Sequence, residues 1–340
     1  FFFLRSLDME SKLAKALLYG SVAFTLWKIW KALRALSQHR HKLQLSDVGG
    51  TNFDPQGPHL AEFFKNRDGL WIHFRKWKES LPTHSEQPRG IVVIVHGFAE
   101  HVARYTHIAE QLATRGYRVC GMDHQGHGRS EGIRGHVHRF SDYVVDLLQF
   151  VESCKRDLPP DVPCFLLGHS MGGAIALHAA LKHAALFRGV ILSAPALTPD
   201  PKVATPFMRW LASVMQGILP LLAVTRIPPS LVCRSRAVVR NYVNDPLVYH
   251  GAARAGWGYE LLCAMENAHK RAAELELPVL VLHGTDDRVV APSGSKTIVP
   301  KFSSADKQLL LYSGMFHEIL FDPEWERVFG DLVSWLEART

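Results

Sequence analysis

The sequence predicts an α/β fold, a mostly parallel central sheet flanked by helices with an inserted helical cap. Three observations carry that expectation. Beyond Pro88, short runs rich in Val, Ile and Leu alternate with helix-length amphipathic stretches, the pattern of buried parallel strands covered on both faces. Between about residues 196 and 275 the alternation breaks, and a Leu-, Met- and Trp-rich stretch of helical pattern intervenes. Of the 340 residues, 47% are hydrophobic and 21% charged, which supports a substantial core and excludes disorder as the dominant state.

In chain order, the first element is a basic segment, residues 1–46. Lys12, Lys15, Lys28, Lys31, Arg34, Arg40 and Lys42 stand between Ser11 and Ser46 with no acid among them. They account for the whole net charge of +7, so the remainder is balanced and no nucleic-acid partner is expected. Ala16 to Trp27 is uncharged and mostly apolar, but shorter than the ~18 residues of a spanning helix. Snorkelling lysines would let Leu13 to Leu36 reach across a bilayer, and Trp27 and Trp30 suit its interface. A membrane-associated helix acting through residues 11–46 is therefore expected, with spanning and interfacial forms both open. A cleaved signal peptide and a helix packed on the body are the alternatives, the first weakened by the lack of a clear A-x-A site.

Residues 47–58 read as a linker, and residues 59–340 as the body, with the cap at about 196–275. Asn66-Arg-Asp-Gly69 between two apolar stretches signals a hairpin. Strands are expected at 91–95, 117–122, 164–167, 189–192, 279–282 and 308–312, and helices at 104–115, 140–157, 171–184 and 323–338. The five cysteines (120, 154, 164, 233 and 263) are odd in number and form no C-x-x-C pair, which argues for a reducing, cytosol-facing compartment.

The strongest chemical signal is Gly168-His-Ser-Met-Gly172, set between an apolar strand and a helix. That is the context of a nucleophile elbow, in which a tight strand–turn–helix holds the Ser170 hydroxyl out of the sheet. A serine needs a base, and the base an orienting acid. His317 follows the strand at 308–312, and two candidate acids, Asp286 and Asp287, follow the strand at 279–282. Chain order and topology fit a Ser–Asp–His set, with either aspartate able to serve. Backbone amides at Phe98, on the loop after strand 91–95, and at Met171, on the helix N-terminus, are the expected oxyanion donors. The loop Asp123 to Ser130 is rich in His and Asp, but its glycines and the lack of a helical i, i+4 pair favour a structural role over a metal site. Neither metal nor organic cofactor is expected.

These residues resemble the monoacylglycerol lipase group of serine α/β-hydrolases over about residues 88–338. The resemblance rests on His96-Gly97 with Glu100-His101 and Arg104-Tyr105, on Asp123 with Gly126-His-Gly128 and Ser130-Glu-Gly132, on Gly168 to Gly173, on Asn244-Asp-Pro-Leu247 and on His317-Glu318. It implies Ser170 as nucleophile and His317 as base, favours Asp287 as the acid, and implies a lid that admits one acyl chain. Ala99, where glycine is common, and the bulky Phe98 depart from the group's pattern. The apolar stretch Phe207 to Val224 supports a lipid monoester substrate independently, with Phe207, Met208, Leu211 and Met215 as candidate acyl contacts. The expected reaction is release of a fatty acid from monoacylglycerol through an acyl-enzyme. The alternatives are a lysophospholipase, another carboxylesterase or acyltransferase of the same fold, and a non-catalytic hydrolase-like interaction protein.

Overall fold

The structure, a computed structural model, describes residues 62–77, 87–199 and 205–340, together with Lys28. The expected N-terminal helix (1–46) and the linker (47–58) otherwise lie outside the described residues. The body opens with a hairpin of β1 (Phe63–Lys65) and β2 (Trp71–Lys76), paired antiparallel with Phe63 opposite His73. Asn66 makes the turn: its Oδ1 accepts from the Asp68 and Leu70 amides at 3.1 and 2.8 Å, and Gly69 adopts the left-handed φ of +82° that closes it.

Next come β3 (Gly90–Val95), α1 (Thr106–Ala113), β4 (Tyr117–Met122), α2 (Phe140–Lys155), β5 (Cys164–His169), α3 (Met171–Lys182) and β6 (Gly189–Ser193). Asn66 Nδ2 donates to both carboxylate oxygens of Asp146 on α2, 3.1 Å each, and so pins the hairpin to that helix. The alternation is then interrupted by α4 (Pro206–Ile218), β7 (Ala223–Thr225), α5 (Arg236–Asn244), β8 (Ala253–Arg254) and α6 (Ala255–Arg271). The sheet resumes with β9 (Val279–Gly284), α7 (Pro292–Ile298), β10 (Lys307–Tyr312) and α8 (Trp325–Glu337).

Eight strands form one sheet in the order β1-β2-β4-β3-β5-β6-β9-β10. From β4 to β10 all pairings are parallel, and β2 joins β4 antiparallel. Every residue of β3, β5 and β6 is buried, because helices cover both faces. Val93, Val95 and Leu166 face the core shared with α2 and α3, while Val92, Ile94 and Leu167 face that shared with α1 and α8. This is the expected fold class, a mainly parallel sheet with flanking helices. Two helices outside the cap differ from expectation: the stretch 104–115 begins as a 3-10 turn at Val102–Tyr105 and only then becomes α1, and α7 stands where no helix is expected.

No residue of α4 is buried, although the helix is well capped: Pro206 occupies its first turn, and the Thr205 side chain accepts from the Met208 amide at 3.3 Å. Exposed apolar side chains continue past its end through Leu219, Leu222, Val224 and Ile227. Among the described residues no helix is long and apolar enough to cross a membrane. All five cysteines are free, four of them buried and Cys263 on α6 half-buried.

Candidate active site

Ser170 sits between β5 and α3 with φ +53° and ψ −118°, a conformation that a non-glycine residue adopts only when its surroundings impose it. They do so through hydrogen bonds. The Ser170 amide donates to the Ser193 carbonyl on β6 (3.0 Å), and its own carbonyl accepts from Gly173 (3.0 Å), Ala174 (3.3 Å) and Ala196 (3.0 Å). The elbow also needs a glycine at position 172, since a Cβ there would run into the carbonyl oxygens of Val95 and His96.

Asp287 follows β9 and His317 follows β10, so both arrive at the carboxyl edge of the sheet, where Ser170 stands. His317 Nδ1 lies 2.7 Å from Asp287 Oδ2. The other carboxylate oxygen, Oδ1, accepts from the amides of Val289 (2.8 Å) and Val290 (2.9 Å). His283 Nε2 lies 3.1 Å from Asp287 Oδ2 and 3.0 Å from the Val290 carbonyl, two acceptors, so that nitrogen carries the proton. Its Nδ1 is then left to accept from the Ser295 hydroxyl at 2.8 Å. Burial alone would raise the Asp287 carboxyl. The charge of His317 and the hydrogen bonds from His283, His317 and Val290 outweigh it and hold the group well below the usual carboxylate range. Asp286, the other candidate, is exposed and accepts from the Thr285 hydroxyl at 2.9 Å.

One contact ties the elbow to this pair, and a second brings the loop after β3 to the serine. The His317 ring packs on His169, next in sequence to Ser170, with centroids 4.8 Å apart. A Cβ at Gly97 would stand 3.2 Å from Ser170 Cβ, so the loop after β3 runs directly against the serine. Among the described residues no hydrogen bond joins Ser170 to His317. His169 is held neutral, pushed down to about 3 first by burial and then by the charge of His317.

The loop carrying Phe98 is shaped by its neighbours. His96 Nδ1 donates to the Gly97 carbonyl (2.8 Å), its Nε2 accepts from the His124 amide (2.9 Å), and the Gly97 amide donates to Glu100 Oε1 (2.6 Å). Ala99 takes a left-handed φ of +69°, the conformation for which glycine is the easier residue. Among the described residues the Phe98 and Met171 amides stand outside the backbone bonding that ties up Gly173 and Ala174. Asp123 is a structural hub of its own loop, accepting from the amides of Val102 (2.8 Å) and Arg129 (2.9 Å) and from His73 Nδ1 (2.9 Å). Among the described residues no three His, Cys, Asp or Glu side chains converge to hold a metal.

Of the candidate acyl contacts on α4, Phe207 and Met208 are exposed, at 65% and 45%, and Phe207 packs beside Trp210 with centroids 6.0 Å apart. Leu211 and Met215, one turn apart, are half-buried. Sequence reasoning missed a buried ion-pair cluster beside the site. Arg104 donates from Nη1 to Glu318 Oε1 (2.6 Å) and Glu100 Oε2 (2.5 Å), and from Nη2 to Glu318 Oε2 (2.9 Å). Its guanidinium lies between the rings of Tyr242 and Phe321, 4.9 and 4.5 Å from their centroids. The residue after His317 is thereby tied to the first turn after the Phe98 loop. The i, i+4 spacing of Glu100 and Arg104 was the one available signal.

A strained serine at a strand–turn–helix elbow on this sheet defines the class: a serine hydrolase with the α/β-hydrolase fold. The family model described as serine aminopeptidase, S33, matches residues 86–324, and the chain belongs to that family. Its relatives include a monoacylglycerol lipase of Mycolicibacterium smegmatis, 36% identical over 80% of this chain and 95% of that protein. The human monoglyceride lipase is 35% identical over 83% of this chain and 91% of its own length. The crystal structure of a Paleococcus ferrophilus monoacylglycerol lipase superposes with a TM-score of 0.70 at 33% identity, covering 79% of this chain and 99% of that one.

Proposed function

We propose that the protein hydrolyses monoacylglycerols through an acyl-enzyme formed on Ser170. Ser170 Oγ attacks the ester carbonyl while His317 Nε2 takes its proton, and Asp287 holds the opposite ring nitrogen and the charge that develops on the imidazole. The tetrahedral oxyanion is bound by the Phe98 and Met171 amides. His317 then returns the proton to the departing glycerol oxygen. A water deprotonated by the same nitrogen attacks the acyl-enzyme, and collapse of the second tetrahedral intermediate releases the fatty acid and regenerates Ser170.

The observation that carries this reading is the 2.7 Å bond between His317 Nδ1 and Asp287 Oδ2, made between loops that end beside the Ser170 elbow. The lipase relatives support the substrate, as does the apolar surface of the cap. The peptidase description of the family is compatible, since the same machinery cleaves esters and amides. The deciding experiment measures product release from monoacylglycerol, diacylglycerol, lysophosphatidylcholine and a hydroxycinnamate ester. Monoacylglycerol is expected to be the best substrate, and a clear preference for any of the others overturns the assignment. We further propose that residues 11–46 bring the enzyme to a membrane surface, with the hydrolase facing a reducing compartment. The unbalanced basic charge around an apolar run and the five unpaired thiols support this.

A further inference from the structure

The side chains of the two oxyanion residues are joined by a third residue that comes from the cap. Trp257, at the start of α6, is 8% exposed. Its ring lies against that of Phe98, centroids 3.8 Å apart and planes inclined by 31°. Its indole Nε1 donates to the Met171 thioether sulfur at 3.4 Å. One rigid side chain thus touches both residues whose amides face the oxyanion.

The two donors differ in how firmly they are held. Met171 opens α3, and its amide direction is fixed by a buried helix. Phe98 lies on a loop whose next residue, Ala99, is in the left-handed region, so its peptide plane depends on what grips its side chain. His127 and Tyr249 meet the Phe98 ring edge-on at 5.6 and 6.3 Å, and Trp257 alone among these stacks on its face. Trp257 is itself anchored from below: the Ala255 and Gly256 amides donate to the carbonyls of Leu222 and Pro220, both at 2.8 Å, and Arg254 Nη1 donates to that of Leu221 at 3.0 Å.

We infer that Trp257 is a positioning residue for the oxyanion hole, a gauge that sets the Phe98 amide at a fixed spacing from the Met171 amide. The inference rests on the reading of Ser170 as nucleophile and of these two amides as oxyanion donors. An oxyanion hole acts only when its donors are pre-aimed at the transition state. Loosening one therefore slows the chemical step and leaves ground-state binding largely intact.

The test is steady-state hydrolysis of monoacylglycerol by Trp257→Leu, Trp257→Phe, Phe98→Ala and the Phe98→Ala/Trp257→Leu double variant, with a thermal melt of each. Trp257→Leu is expected to lose about tenfold or more in kcat with KM changed less than about threefold. Trp257→Phe, which keeps a ring on Phe98, should recover to within about threefold of wild type. Because both residues act through one contact, the double variant should be no slower than the slower single one. Wild-type kcat in a folded Trp257→Leu, a loss confined to KM, or losses that multiply in the double variant each overturn the inference. If Trp257→Leu does not fold, Met171→Leu decides. It removes the sulfur acceptor, so kcat must fall about threefold at constant KM, and unchanged kcat refutes the gauge. A wild-type protein that takes no fluorophosphonate label and cleaves no ester shows instead that the Ser170 reading has failed, and the inference falls with it.

Discussion

At Asp287 two backbone amides and two histidines converge on one carboxylate, whereas Asp286 sits exposed one residue earlier. Asp287→Asn should lower kcat by a factor on the order of ten thousand, because an amide at that position favours the wrong histidine tautomer. Asp286→Asn should stay within about twofold, as an exposed side chain with a local partner. Equal losses in monoacylglycerol turnover would contradict the assignment. The positions of Ser170 and His317 at the carboxyl edge of the sheet could be read from the sequence because a strand end precedes each of them. The choice between the aspartates rested on the family resemblance alone, since adjacent residues of one turn differ only in the partners that the fold brings to them. Glu318 was singled out only as a motif residue, and its pairing with Arg104 was invisible because the two lie 214 positions apart. The cluster makes a prediction of its own. Burial would raise the Glu100 carboxyl, but Arg104, His169 and His96 pull it down to about 2 from 4.5. A depressed acid stabilises the fold above its unfolded value and loses that contribution as pH falls through its folded one. The difference in unfolding free energy between wild type and Glu100→Gln should therefore be full at neutral pH and shrink between pH 4.5 and about 2. Urea melts at stepped pH measure it, and a constant difference across that interval would count against the network.

Among the elements, the apolar runs of the parallel sheet were readable almost to their ends, since β3, β5, β6 and β9 are buried throughout and must be continuously apolar. The edge strand β10 is half exposed yet keeps its run of leucines at 309–311. The signal failed where burial does not shape composition. The segment Pro292 to Ile298 carries no apolar period yet forms α7, its turns set by Pro292 and by tertiary contact. The β7–β8 ribbon pairs strands of three and two residues, with β7 wholly exposed, and leaves no alternation to find. The β1–β2 hairpin was legible from Asn66 and Gly69, but its anchor to α2 was not. Asn66→Ala removes both the turn contacts and the donor to Asp146, whose carboxyl burial already pushes up to about 7 against the hydrogen bonds from Asn66 and Gln125. A loss of about 1–3 kcal/mol in a urea melt is expected, and a change below about 0.5 kcal/mol would show that the hairpin is not held this way.

For the whole molecule, the basic excess lies in the first 46 residues, outside the hydrolase body. A protein lacking residues 1–46 should remain folded and hydrolyse dispersed monoacylglycerol at close to the full rate, while partitioning less to vesicles containing anionic lipid. Unchanged partitioning would remove the proposed anchor. The five thiols offer a view of a different property, the order in which the molecule opens. Cys120, Cys154 and Cys164 belong to the sheet and the helix behind it, whereas Cys233 and Cys263 lie in the cap. Burial pushes Cys164 up to about 12 and Cys233 up to about 11, so neither offers appreciable thiolate while closed. Alkylation by iodoacetamide then becomes a clock with two hands. If the cap lifts before the sheet melts, Cys263 and then Cys233 will carry label while the three inner sulfurs stay blank.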